Sequence, residues 1–124
     1  MGDQISLTDS ILDSIKHKLN LMPDYTAFDD DIIISINSCF ARLNQLGIGT
    51  DSVFKITGSN EVWSSFITDD RINSVIDYIY LKTQLLFDNT MNSGIINLKQ
   101  EQIKEFEWTL KVVSEEIRAE KVGD

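Results

Sequence analysis

The chain has 124 residues, 42% of them hydrophobic, and a formal charge of −9 from 11 basic and 20 acidic side chains. That length supports one core and a single domain over residues 1–124, and the apolar share is too high for a disordered chain. The charge excludes the basic footprint of a phosphate-gripping domain, and one proline with six glycines is too little turn chemistry for an all-β fold, so the expected class is all-α.

In chain order, the first helix is expected over residues 6 to 20, capped by Ser6 with Asp9 near the positive end of the helix dipole. Leu7, Ile11, Ile15 and Leu19 fall on one side of it, and Leu12 widens the stripe. Met22-Pro23 ends it, because the residue before proline avoids helical angles. Residues 21 to 28 then read as a loop that Tyr25 and Phe28 tack onto the core.

The second helix is expected over 29 to 46, bounded by Asp29-Asp30-Asp31 in its first turn and by Gly47 after its last. At roughly 100° per residue, Ile32, Ile36, Cys39, Phe40, Leu43 and Leu46 share one face, and Ile34 points away. Ile32-Ile33-Ile34 also has strand propensity, but the longer period decides for helix. Residues 47 to 60 read as a loop or short hairpin carrying Val53, Phe54 and Ile56, with Gly58-Ser59-Asn60 as turn chemistry. A short helix near 61–67 carries Val62, Trp63 and Phe66 inward.

The third helix is expected over 69 to 90, with Thr68 as N-cap and Asp69 and Asp70 in the first turn. Ile72, Val75, Ile76, Ile79 and Leu86 form its main stripe, while Tyr78, Leu81 and Leu85 lie off it. A helix this apolar is central in its domain or covered by another subunit. A loop with Ser93-Gly94 as its turn leads to a fourth helix over 97 to 120, opened by Asn97 with Gln100 in a capping-box spacing. Its stripe is Ile103, Phe106, Leu110, Val113 and Ile117, with Trp108 and Val112 on the opposite face.

No residue set in this order carries recognisable chemistry. His17, the single histidine, sits between Lys16 and Lys18 on a charged part of the first helix, which reads as surface. Cys39, the single cysteine, lies on an apolar helix face, the setting of a buried inert thiol, and it leaves neither a disulfide nor a zinc cluster possible within the chain. Asp29, Asp30 and Asp31 are consecutive, so they diverge around a helix instead of converging on a cation; dipole stabilisation explains them. Hence no catalytic, cofactor-binding or metal residues are expected. Lys99, Lys104, Lys111, Arg118 and Lys121 alternate with glutamates, the mark of a solvated helix and not of a sequence reader. No apolar run approaches the roughly 20 residues that span a bilayer, and the polar, acidic start is unlike a secretory leader. What is left over is apolar surface. Trp108 and Val112 on the back of the fourth helix, and Leu81 and Leu85 on the back of the third, cannot all face one small bundle, which marks them as candidate partner contacts. The alternative is that residues 47 to 67 wrap over one of these faces.

The order of parts from about residue 8 to 118 resembles the siphophage head–tail connector family. The matching features are Thr26-Ala27-Phe28-Asp29-Asp30-Asp31, Ile36-Asn37-Ser38, Leu43-Asn44-Gln45-Leu46-Gly47, the Trp63–Phe66 segment, a long helix with Tyr78 and Tyr80, and an amphipathic last helix. The resemblance implies a non-enzymatic virion protein, made in the host bacterial cytoplasm. It implies a ring at the head–tail junction, a dodecamer in the virion and compatible with a monomer in isolation. Its partners would be the portal protein, the stopper or tail-completion protein and further copies of itself. DNA would pass through the ring without sequence-specific contact, and no membrane or cofactor is implied. In this family the C-terminal helix engages the portal, which here would fall on Trp108, Val112, Val113 and Ile117. A dodecamer would carry on the order of a hundred negative charges, repelling DNA in transit. The rival expectation is a cytoplasmic helical adaptor or regulator that binds another protein.

Overall fold

The computed structural model describes residues 5–50, 52–68, 71–88 and 90–122, with side chains up to residue 116. In chain order come α1 (Ile11–Lys18), α2 (Asp29–Gln45), a 3-10 turn (Trp63–Ser65), α3 (Ile72–Phe87) and α4 (Ser93–Val122). The small all-α bundle of four main helices is therefore the fold observed, with α3 central against α1, α2 and α4. Val75, Ile76, Tyr78 and Ile79 of α3 meet Ile32, Ile36, Phe40 and Leu43 of α2 and Ile11, Leu12 and Ile15 of α1 in one core.

Helix α1 starts later than expected. Ser6 does not cap it; its N–H instead donates to Asp9 Oδ2 at 2.8 Å in a preceding turn. The cap is Ser10, in an extended conformation, whose Oγ accepts from the Asp13 N–H at 3.2 Å. The helix also stops before Pro23. Asn20 adopts φ +64°, Leu21 N–H donates to Lys16 O at 2.8 Å and Asn20 N–H donates to His17 O at 3.0 Å. That pair of bonds is a Schellman stop, with asparagine in the left-handed position. Lys16 is not a surface charge. It is 1% exposed, and its ammonium donates to Pro23 O at 2.9 Å and pairs with Asp29 Oδ1 at 2.8 Å. The lysine thus ties the α1–α2 loop to the first turn of α2. Tyr25 and Phe28 do not tack that loop onto the core: they are 45% and 43% exposed.

Helix α2 ends at the glycine the sequence marks. Gly47 has φ +80°, Ile48 N–H donates to Leu43 O and Gly47 N–H to Asn44 O, both at 3.0 Å. Ile48 and Leu43 are both buried, the apolar contact that accompanies this stop. The described residues between 47 and 60 form no hairpin. The backbone of Ile56 pairs with a side chain: Asn37 Oδ1 accepts from Ile56 N–H at 2.8 Å and Asn37 Nδ2 donates to Ile56 O at 3.0 Å. A helix-borne amide thus takes the place of a partner strand. Among the described residues the only ladder is a bridge between Ser10 and Val62, extended by Ile11 N–H to Glu61 O at 3.0 Å and Ser64 N–H to Leu7 O at 2.9 Å. It lays the 3-10 turn across the start of α1.

That turn is shorter than the helix expected over 61–67, but it delivers Trp63, Phe66 and Ile67 to the core, leaving Val62 half-buried. Trp63 is fully buried and donates through Nε1 to Ser14 Oγ at 3.0 Å, and Ser14 in turn donates to Ser10 O at 2.6 Å. Phe66 packs with Phe40 and Phe54 at ring separations of 4.6 and 5.5 Å. Gly49, at φ +93°, lies so close to this trio that a Cβ there would sit 2.2 Å from the Phe66 ring.

Helix α3 begins at Ile72 with Arg71 in the cap position, so Thr68 is not the cap; Asp69 and Asp70 lie outside the described residues. Leu86, placed on the buried stripe by period, is 71% exposed, and Tyr78, placed off it, is fully buried. Helix α4 begins four residues early. Asn92 Oδ1 accepts from Ile95 N–H at 2.9 Å, so Asn92 caps the helix and Asn97 lies inside it. Gly94 is consequently in the first turn of α4 and not in a loop.

Candidate functional site

Helices α3 and α4 run antiparallel: Arg71, before α3, donates to Ser114 late in α4, while Tyr78 meets Glu107 in the middle. With 30 residues against 16, α4 is about 45 Å long and α3 about 24 Å, so the α4 backbone continues past the start of α3.

The middle of α4 is held by one carboxylate. Glu107 accepts from Tyr78 Oη at 2.7 Å through Oε2, and from Arg42 Nε and Nη2 at 3.3 and 3.1 Å through Oε1. Lys82 donates to the same Tyr78 oxygen at 3.1 Å and sits over its ring. Three helices, α2, α3 and α4, therefore share this knot. Burial pushes Glu107 upward, but the hydrogen bonds from Tyr78 and Arg42 outweigh it and leave the carboxyl below its ordinary 4.5. The Tyr78 phenol is pushed far up by burial and by Glu107, and burial holds the neighbouring Cys39 thiol up at about 12. Cys39 is thus a protonated, buried thiol. Because Glu107 is held below its unfolded value, its stabilising effect is complete above the ordinary carboxyl range and fades as pH falls through the folded value. Urea unfolding from about pH 6 to about pH 3 should show an acid-side loss of stability that Glu107→Gln flattens; identical acid limbs would contradict the knot.

Of the residues singled out for partner contact, Trp108 and Val112 are neighbours one turn apart on α4, but the described ones do not form a single surface. Trp108 is 69% exposed and lies roughly 160° around α4 from buried Leu110. Val112 and Val113 are half-buried on its flanks, and the side chain of Ile117 lies outside the described residues. Leu81 and Leu85 pack, half-buried, against the chain's own core. The large apolar exposure instead falls on Leu86 (71%), Ile34 and Met22 (both 67%) and Leu98 (60%) besides Trp108. Leu98 and Trp108 lie within roughly 80° of each other around α4, with Val112 between them. Leu98 falls inside the helix expected over 97 to 120 and more than 100° from Ile103 and Leu110, so the period alone turns it outward, as it does Ile34 on the second helix. Between α2, α3 and α4 a groove of about 650 Å³ is walled by Cys39, Leu85, Leu86, Ile96 and Ile103, with Lys82 and Lys104 at its sides.

Among the described residues no group of histidine, cysteine, aspartate or glutamate is arranged to hold a metal ion, and no helix is long and apolar enough to cross a membrane. Asp29 is engaged by Lys16, and Asp30 and Asp31 face outward. No curated protein sequence and no solved structure matches the chain. A family model described as phage connector protein matches residues 11–117, a span that runs from the first residue of α1 nearly to the end of α4. The chain belongs to the phage connector protein family.

Proposed function

We propose that this protein is a non-enzymatic virion component that assembles as a ring beneath the portal, extends the DNA channel and offers the stopper or tail-completion protein its platform. Exposed Trp108 on α4, opposite the side that packs on the bundle, carries this reading in a chain of the connector family. Tryptophan is enriched among the few residues that dominate protein interfaces, and a 30-residue helix presents it on a rigid rod. Leu98 and Val112 extend the same side. The net charge of −9 fits a channel wall that lets DNA pass without adhering. Heterologous contacts that close into a ring would cover Ile34 and Leu86 as well.

Trp108→Ser is expected to leave monomer stability within about 0.5 kcal/mol, since the side chain packs on little, and to weaken portal binding at least about tenfold. Thermal unfolding reads the first effect and co-sedimentation with purified portal the second. Unchanged portal binding by the variant, together with absence of the wild-type chain from purified particles by mass spectrometry, would contradict the assignment.

A further inference from the structure

A second groove, of about 460 Å³, lies at the opposite end of α3 from Arg71, between the α1–α2 loop and the last turns of α3. Its walls are unusually rich in rings. Phe28 packs against Tyr25 at 5.9 Å and against Phe87 at 6.0 Å, and Tyr80 also lines the groove. Leu86 lines the groove at 71% exposure, and Met22 in the adjoining loop is 67% exposed. Two polar groups lie among these rings. Gln84 lines the groove, and its Oε1 is buried without a hydrogen-bond donor among the described residues. Asp88 lines it too, its carboxylate held by Thr90 N–H at 3.0 Å. Asp24, Asp30 and Asp31, all exposed, flank Tyr25 and Phe28 in sequence. Among the described residues the cation lining the groove is Lys18, which is engaged by Asp77 at 3.5 Å and lies 5.2 Å from the Tyr80 ring centre.

We propose that this groove takes an arginine side chain from a partner protein. Each feature has its complement in a guanidinium. The planar cation stacks on aromatic faces, and Phe28 and Phe87 offer them beside Tyr80, which already carries Lys18. Its five N–H donors can satisfy a stranded carbonyl oxygen and a carboxylate at once, which a lysine ammonium does less well for lack of the planar fork. With Lys18 paired to Asp77, the lining carboxylate of Asp88 favours a basic ligand over an anionic one. Exposed Leu86 and Met22 suit apolar residues flanking that arginine, so the occupant is a peptide segment and not the free amino acid. The groove is formed within one chain, so it can be tested on a monomer and does not depend on ring assembly.

The probe is N-acetyl-argininamide, titrated into the full chain while the Gln84 side-chain amide and the Tyr80 and Phe87 ring signals are followed by NMR. Saturable shifts at these three residues are expected, with affinity about tenfold above that of the citrulline analogue, which keeps the shape and loses the charge. The Tyr80 and Phe87 shifts should vanish in Gln84→Leu and in Phe28→Ser, the second at a residue exposed enough to change without unfolding the chain. Shifts that do not saturate, an equal response to citrulline, or unchanged binding in folded Gln84→Leu and Phe28→Ser would overturn the proposal. So would the same signals moving with protein concentration alone, which would place a second copy in the groove.

Discussion

Trp63→Ala is expected to lower stability by about 3–5 kcal/mol, the largest effect of any single truncation in this chain. The indole is fully buried where the 3-10 turn crosses α1. Three losses combine. The cavity left by an indole cannot be closed by neighbours that are themselves fixed in helices. The Ser14 hydroxyl loses its Nε1–H donor, at 3.0 Å, inside the core. The turn itself, held to the start of α1 by only a few backbone bonds, loses its anchor. For a domain of this size the midpoint of thermal unfolding should fall by roughly 10–20 °C. Circular dichroism melting checks it, with Trp108→Ser as the control whose indole is exposed. A loss below about 1 kcal/mol would mean that the 61–67 segment is not packed as described.

Lys16→Met is the second large effect, about 2–3 kcal/mol. An isolated lysine–aspartate pair on a surface contributes under about 1 kcal/mol, but this ammonium is 1% exposed and its partner carboxylate 23%. Removing the cation strands the Asp29 carboxylate and Pro23 O, which it bonds at 2.8 and 2.9 Å. Breaking a fully buried pair in this way costs about 3–5 kcal/mol, and the partial exposure of Asp29 reduces it. The α1–α2 loop should loosen at the same time, since Lys16 is the side chain that ties Pro23 to α2. Adding Asp29→Asn should restore part of the loss, because the stranded charge is gone. Urea unfolding would show the midpoint falling with an unchanged slope. A change no larger than that of Lys104→Met, at a lysine 75% exposed, would show that Lys16 behaves as an ordinary surface residue.

Much of the bundle is legible in the order of residues because the period of its apolar positions is strong. Ile32, Ile36, Cys39, Phe40 and Leu43 all reach the core from α2 at helical spacing, and Gly47 stops that helix where its left-handed backbone requires. What is not legible depends on partners distant in sequence. Lys16 reads as a surface charge until Asp29 is placed beside it. Asn37 reads as a polar position on α2, and nothing local says that it substitutes for a strand opposite Ile56. Competing caps are equally silent. Ser6 and Ser10 both precede an apolar run, and the backbone contact of Ser10 with Val62 favours the later one. The end of α3 shows the limit of period alone. Leu86 shares its angle with Ile79 but lies past the reach of the core, and Tyr78, off the stripe, is buried because Glu107 on α4 receives its hydroxyl.

The candidate surface was legible only in part. Trp108 stands out on the back of an amphipathic helix and is exposed as expected, whereas Leu81 and Leu85 find cover within the bundle. The surplus apolar surface is redistributed toward Leu86 at the end of α3, Ile34 on the outer side of α2 and Leu98 in the early turns of α4.

Native mass spectrometry of the full chain mixed with purified portal bears most directly on the proposed role. A ring of bound copies stoichiometric with the portal, lost when Trp108 is replaced by serine, is the result expected. A chain that stays monomeric and free at every ratio of portal and tail-completion protein would contradict it.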